Sequence, residues 1–331
     1  MKKIIPVLLA AVIGSAVAGD AAKPAIIFDM GGKFDKSFNQ SAYEGAERFK
    51  KATGIKYNEL EVTNEGQREQ FQRKLAQRKN NPIVVTGFAQ APPLAKTAKA
   101  FPATNFVIVD AVVEAPNVRS IVFREQEGSF LVGALAAMKS KSGVIGFVGG
   151  MDIPLINKFG CGYVQGAKYI NPNIKVIQNM TGSTPEAWNN PTKGGELTKA
   201  QVDNKADVIY AAAGNTGNGV YQAAKDAGVY AIGVDSNQNH LHPGTMLTSM
   251  VKRVDVAVEK AFKDGASGEK FATGVQSLGL KENGVDWALD KYNRDLVTAE
   301  MEAKIKDIRA AIIKGDIKVH DYSTDNQCPV K

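Results

Sequence analysis

Three apolar runs in this chain each end on an aspartate. Asp29 closes "AIIF", Asp110 closes "FVIV" and Asp235 closes "AIGV". A fourth run, "IYAAA", ends on Gly214 and Asn215. A carboxylate in such a place does one of two things. It caps the helix that follows, or it lines the crevice beyond the carboxyl ends of parallel strands, where ligands bind. Either reading fits each aspartate taken alone. Taken together, polar groups at four equivalent ends favour a lined cleft. Carboxylates without a metal-ligand cluster or an arginine cluster suit a ligand rich in donors, such as the hydroxyls of a sugar. Lys252 offers partial neutralisation and a donor to the same sugar, although its position alone also reads as a surface lysine. Phe38 in "DKSFNQ" and Trp188 in "STPEAWNNP" lie in polar segments after strands, one in each half of the chain. Two such rings across a cleft would sandwich a flat base. Asn39 follows Phe38, and Gly31 and Gly32 would let the backbone pass close to a ligand.

Enzyme chemistry finds less support. The histidines are His240, His242 and His320. "NHLHPG" would place its two rings on opposite sides of an extended segment, and no third ligand has suitable spacing. "GNTGNG", Gly214 to Gly219, misses the dinucleotide-binding spacing and reads as a turn approaching a ligand. No nucleophile elbow or phosphate loop is present. The expectation is therefore no catalytic residue, no metal and no cofactor.

The elements that position these residues alternate. Strand-like runs "AIIFDM", "KYNELEV", "PIVVTG" and "NFVIVD" are separated by helical patterns near residues 37–52, 65–78 and 91–100. The series then restarts with "GVIGFVGG", "IKVIQNM", "ADVIYAAAG" and "VYAIGVD", with helices near 153–170, 193–204 and 217–227. Near-continuous apolar strands between helices predict α/β architecture with parallel sheets covered on both faces. Two such blocks exceed one doubly wound core and predict two lobes. Three segments read as crossings: "VRSIVFREQEG" into a helix over 127–139, "GTMLTSMVKR" into a helix with Val254, Val256, Ala257 and Phe262 on one face, and "GVQSLGLKENGVDWALD". A last helix is stopped by Gly315.

Lys2 and Lys3, an apolar run to Val17 and small residues at 16–18 read as a secretory signal peptide over 1–18. No cysteine lies near its end, so the expectation is a soluble periplasmic protein without a lipid anchor. The formal charge of +7 includes those two lysines, and the remaining basic residues are mixed with acids. No basic stripe carries interleaved aromatics, so nucleic acid is not an expected partner. Cys161 and Cys328 are the only cysteines. In an oxidising compartment they read either as a disulfide or as one buried and one free thiol.

"DKSFNQSAYEG", "GFAQAPPLAKTAKAFPATNFVIVD", "EGSFLVGALAA", "GFVGGMDIPLINKFGCGYVQGAKYINP" and "GVDSNQ", in this order over nearly the whole chain, resemble the basic-membrane-protein family. Its members are substrate-binding proteins of ABC importers, and the best-known bind purine nucleosides. The resemblance implies a type I periplasmic-binding-protein fold, with two doubly wound parallel-sheet lobes joined by a three-strand hinge. It implies lobes of 24–123 plus 253–278 and of 124–252 plus 279–325. It also implies a monomer that binds a nucleoside, delivers it to an importer permease and catalyses nothing. By position it gives Asp29 and Asp110 hydrogen-bonding roles, Phe38 and Trp188 stacking roles, and Asp235 with Lys252 the ribose. Asn39, Gly214 and Asn215 complete the implied ligand set. The chain departs from the family pattern at Lys33, Phe34 and Asn237, which leaves riboflavin, a sugar or a nucleoside-processing activity as alternatives.

Overall fold

In the computed structural model, which describes residues 22–330, the apolar runs become strands with almost no exposed face. Ala25–Phe28 (β1), Ile83–Thr86 (β3) and Phe106–Val109 (β4) are buried throughout. Continuous β-branched runs are what a parallel sheet covered on both faces requires. Asn58–Glu61 (β2) is polar and takes the edge beside β1. Val118–Phe123 (β5) follows β4. A late strand, Gly274–Leu278 (β11), pairs parallel to β5, giving the order β11-β5-β4-β3-β1-β2.

The second sheet repeats this order. Val144–Met151 (β6), Lys175–Gly182 (β7), Val208–Ala212 (β8), Tyr230–Asp235 (β9) and Met246–Lys252 (β10) are joined by Val285–Trp287 (β12). Their order is β12-β10-β9-β8-β6-β7, with β12 antiparallel on β10. In both sheets the second strand lies on one side of the first and the third on the other, so the winding reverses there. Such a switch leaves a crevice at the carboxyl ends of the flanking strands. The two crevices face each other.

Helices cover both sheets. Phe38–Thr53 (α1), Gln67–Gln77 (α2), Ala91–Ala100 (α3) and Val254–Ala266 (α8) serve the first. Glu125–Lys139 (α4), Pro154–Ile170 (α5), Pro191–Asp203 (α6), Gly217–Asp226 (α7) and Ala299–Lys314 (α9) serve the second. Helix α4 begins two residues before the expected start because Glu125 and Glu127 occupy its first turn, where carboxylates meet the positive end of the helix dipole. In α8 the buried face is Val254, Ala257, Val258, Ala261 and Phe262. Val256, assigned to that face from the sequence, is 42% exposed, because the period places it one step around the helix.

The chain passes between the sheets three times, after β5, β10 and β11. These are the expected crossings. Cys161 on α5 and Cys328 in the C-terminal tail form a disulfide across 167 residues, with Cα atoms 5.6 Å apart. Among the described residues no helix is long and apolar enough to cross a membrane, and no histidine, cysteine or carboxylate group is placed to hold a metal ion. The expected signal peptide lies outside the described residues.

Candidate ligand site between the two sheets

Strand ends from both sheets converge on one cavity of about 640 Å³, its open mouth included. Its lining holds Asp29, Phe38, Asn39 and Asp110 from the first sheet's side, and Trp188, Gly214, Asp235 and Lys252 from the second's. Asn215 is not on the lining: its side chain pairs with Asn189 and Asn218 instead. The apolar lining also includes Leu155, Ile156 and Phe159 from the first turns of α5, which were not singled out in the sequence.

Asp110 and Asp235 occupy equivalent ends of β4 and β9, and both adopt left-handed backbone, with φ of 73° and 64°. Non-glycine residues hold that conformation at a cost and cluster where a side chain must be aimed. Lys252 ends β10. Its Nζ lies 2.6 Å from Asp110 Oδ2 and 3.0 Å from Glu125 Oε1, so it neutralises those two carboxylates and does not touch Asp235. Phe38, Phe123 and Phe159 surround the same ammonium, with ring centroids 5.2, 5.1 and 5.6 Å away. Lys158 closes the cluster: its Nζ lies 2.7 Å from Glu125 Oε2 and donates to the Phe123 carbonyl at 2.9 Å. Two carboxylates, Asp110 and Glu125, thus share two ammonium groups, and Asp235 stands nearby without an ion pair among the described residues.

Burial, opposed by these ammonium charges, sets the protonation of the cavity. Burial pushes the Asp110 carboxyl up to about 6, against the Lys252 charge that holds it down. Burial also raises Asp235, while Lys252 and the Ser37 hydroxyl oppose it. Glu125 is penalised by burial too, yet Lys252 and Lys158 together hold it below the usual carboxylate range. Asp110 Oδ1 is buried and has no hydrogen-bond partner among the described residues. A buried acceptor without a donor is costly, about 1–3 kcal/mol.

Asp235 reaches across the cleft. Its Oδ2 accepts from Ser37 Oγ at 2.5 Å. Ser236 Oγ donates to the Ser37 carbonyl at 3.0 Å, and Gln238 Nε2 to the Lys36 carbonyl at 2.8 Å. These bonds latch the segment before α1 to the segment after β9. The α1 N-terminus is held by Asp35, whose carboxylate accepts from the backbone N–H groups of Ser37, Asn39 and Gln40 at 2.8, 3.0 and 3.1 Å. Phe38 is therefore the first residue of a capped helix and not part of a loop. Asn39 faces the cavity, but its amide is engaged with the Asp29 and Gly32 carbonyls and the Thr86 hydroxyl.

Asp29 is paired as well. Arg68 on α2 donates from Nε to its Oδ1 at 3.0 Å, and both side chains are nearly buried. Burial raises the Asp29 carboxyl and Arg68 opposes that rise. Gly87 makes the arrangement possible, since a Cβ there would stand 2.7 Å from Asp29 Oδ2. Gly150 does the same for Trp188: a Cβ would stand 2.1 Å from the indole ring, which packs against this bare stretch of β6.

The fold resembles solved binding proteins. An ABC transporter solute-binding protein from Aeropyrum pernix superposes with a TM-score of 0.83 at 28% identity, covering 91% of this chain and 93% of that one. An ABC transporter nucleoside-binding protein, BmpA, of Lactococcus lactis is 34% identical, covering 90% of this chain and 88% of its own length. A relative from Pyrococcus horikoshii is 36% identical, covering 88% and 75%. It is named an uncharacterised lipoprotein, as are relatives from Pyrococcus abyssi and Pyrococcus furiosus. These names correct the expectation of a freely diffusing periplasmic protein: they point to lipid-anchored, membrane-associated forms, held by acyl chains that partition into the bilayer. Residues 22–323 match the family described as Bmp, ABC transporter substrate-binding protein PnrA-like, and the chain belongs to that family of substrate-binding proteins.

Proposed function

We propose that this protein binds a purine nucleoside in the cavity between its sheets and presents it to the permease of an ABC importer. The observation that carries the reading is Asp110 Oδ1, a buried acceptor without a partner, beside aromatic rings and a second buried carboxylate, Asp235. In this reading Phe38 and Trp188 cover the base, Asp29 and Asp110 face its edge, and Asp235 receives the ribose hydroxyls. Lys252 keeps Asp110 oriented. The name of the Lactococcus relative supports a nucleoside, and the resemblance seen in the sequence supports a purine.

Residues 24–123 plus 253–278 and residues 124–252 plus 279–325 act as two bodies that close on the ligand. One chain supplies both walls, so the protein works as a monomer. It binds without catalysis. Calorimetry with adenosine, guanosine and inosine, followed by chromatography of the recovered ligand, tests this. Saturable binding with ligand returned intact is expected. Release of free base or ribose would overturn it, as would binding of riboflavin or a sugar with no response to any nucleoside.

A further inference from the structure

A second cavity adjoins the first. The two share a wall of Asp29, Met30, Phe88 and Trp188. Beyond that wall the groove is bounded by Arg68 and Glu65 on one side and by Ser183 and Thr184 on the other. Arg68 is 6% exposed. Its Nε is engaged by Asp29, but neither terminal nitrogen has a hydrogen-bond partner among the described residues. A buried guanidinium carries a rigid fork of donors that matches a carboxylate in two parallel bonds. Here one edge of the fork is occupied and the other faces the groove.

We infer that this groove is an accessory subsite for a carboxylate carried on the base of the nucleoside, received by Arg68. The inference rests on the proposed nucleoside reading, in which Asp29 marks the base end of the site and Asp235 the ribose end. A substituent on the base's exocyclic edge is then the part of the ligand that passes between Phe88 and Trp188. The charge of the groove narrows its chemistry. Glu65 lies close enough to raise the Asp29 carboxyl by its charge. It disfavours a doubly charged phosphate and tolerates a singly charged carboxylate with N–H or hydroxyl donors beside it. The Ser183 and Thr184 hydroxyls, which make no side-chain hydrogen bonds among the described residues, are available to the same group. The ligand class is a nucleoside whose base bears an amino-acid-type substituent.

The test compares N6-carboxymethyladenosine with the neutral N6-propyladenosine, adenosine and adenosine 5′-monophosphate by calorimetry on the intact protein. A hydrogen bond to a charged group corresponds to about ten- to hundred-fold in affinity. Wild type should prefer the carboxymethyl compound over its propyl analogue by that factor. Arg68→Gln also releases Asp29, so the readout is the ratio between the two ligands, which should fall to about one. Glu65→Gln, on the exposed rim, should raise the ratio a few-fold. A wild-type ratio of one, a ratio unchanged in Arg68→Gln, or a preference for the 5′-monophosphate would each overturn the subsite while leaving nucleoside binding intact. Failure of every nucleoside to bind would overturn the nucleoside reading and the subsite with it.

Discussion

Replacing Lys252 by methionine probes the charge cluster most directly. Methionine keeps the apolar stem among Phe38, Phe123 and Phe159 and removes only the ammonium. Lys252 is 2% exposed in its side chain, and its two carboxylate partners are 7% and 0% exposed. Removing one partner of a buried ion pair costs about 3–5 kcal/mol, because the other charge is left uncompensated. At about 2–4 °C per kcal/mol for domains of this size, melting should fall by roughly 6–20 °C. Two features distinguish this mechanism from a mere packing defect. The loss should be larger at pH 8 than at pH 5, since Asp110, already raised to about 6, takes up a proton on the acid side and relieves the repulsion. Adding Asp110→Asn should restore more than half of the lost stability, a coupling that only contacting groups show. The assay is denaturant unfolding of wild type, Lys252→Met, Asp110→Asn and the double variant at both pH values. A loss under about 1 kcal/mol, equal at both pH values and unrelieved by the second substitution, would refute the argument that these charges are buried and interdependent.

Asp235→Ala should weaken guanosine by roughly ten- to hundred-fold and guanine far less, because a charged hydrogen bond to ribose is absent from the free base; equal losses in calorimetry would remove the ribose role. Gly150→Ala should push the Trp188 ring off β6, lowering nucleoside affinity on the order of ten-fold while shifting tryptophan fluorescence; unchanged affinity would show that the ring does not cover the base. Asp35 and Asp110 are raised by burial from 3.8 to about 7 and about 6. Their contribution to stability is complete below about pH 3.8 and is lost as pH rises through those values, so melting temperature should climb from pH 8 to pH 5. His242, held below its usual 6.5 by burial, opposes this as a single group. A flat or falling profile, or one unaltered by Asp35→Asn, would contradict it.

The sequence reads well where one element determines the answer. Strand-end aspartates and the alternation of runs are local, and the two-sheet layout follows from their periodicity. Contacts that join distant segments leave no local trace. Lys252 and Asp110 are 142 residues apart, and Ser37 and Asp235 are 198 apart. Glu125 and Lys158 sit in the opening turns of helices α4 and α5, where a charge usually faces water. Arg68 lies in "EGQREQFQRK", which reads as a solvated face, yet its helix turns this one arginine inward onto Asp29. Asn215 shows the converse: a glycine-asparagine turn after a strand looks like a ligand loop, but the side chain is taken by its own neighbours. Asp35 had a readable signal. An aspartate two residues before a serine and four before an asparagine at a helix start is a capping arrangement, and it fixes where Phe38 points.

The position of the charge cluster matters for how a ligand arrives. Lys252 and Glu125 stand at the ends of two of the three crossings, next to the axis about which the proposed lobes would turn. Displacement about an axis grows with distance from it. In the proposed opening, the Asp110–Lys252–Glu125 contacts would therefore survive and would offer an incoming molecule a finished anchor. The Ser37–Asp235 latch, which joins the segment before α1 to the end of β9, would part. Capture would then proceed as a door closes: the hinge side is already set, the free edge swings last, and residence time is governed by how firmly that outer edge holds rather than by the deep contacts that chose the molecule.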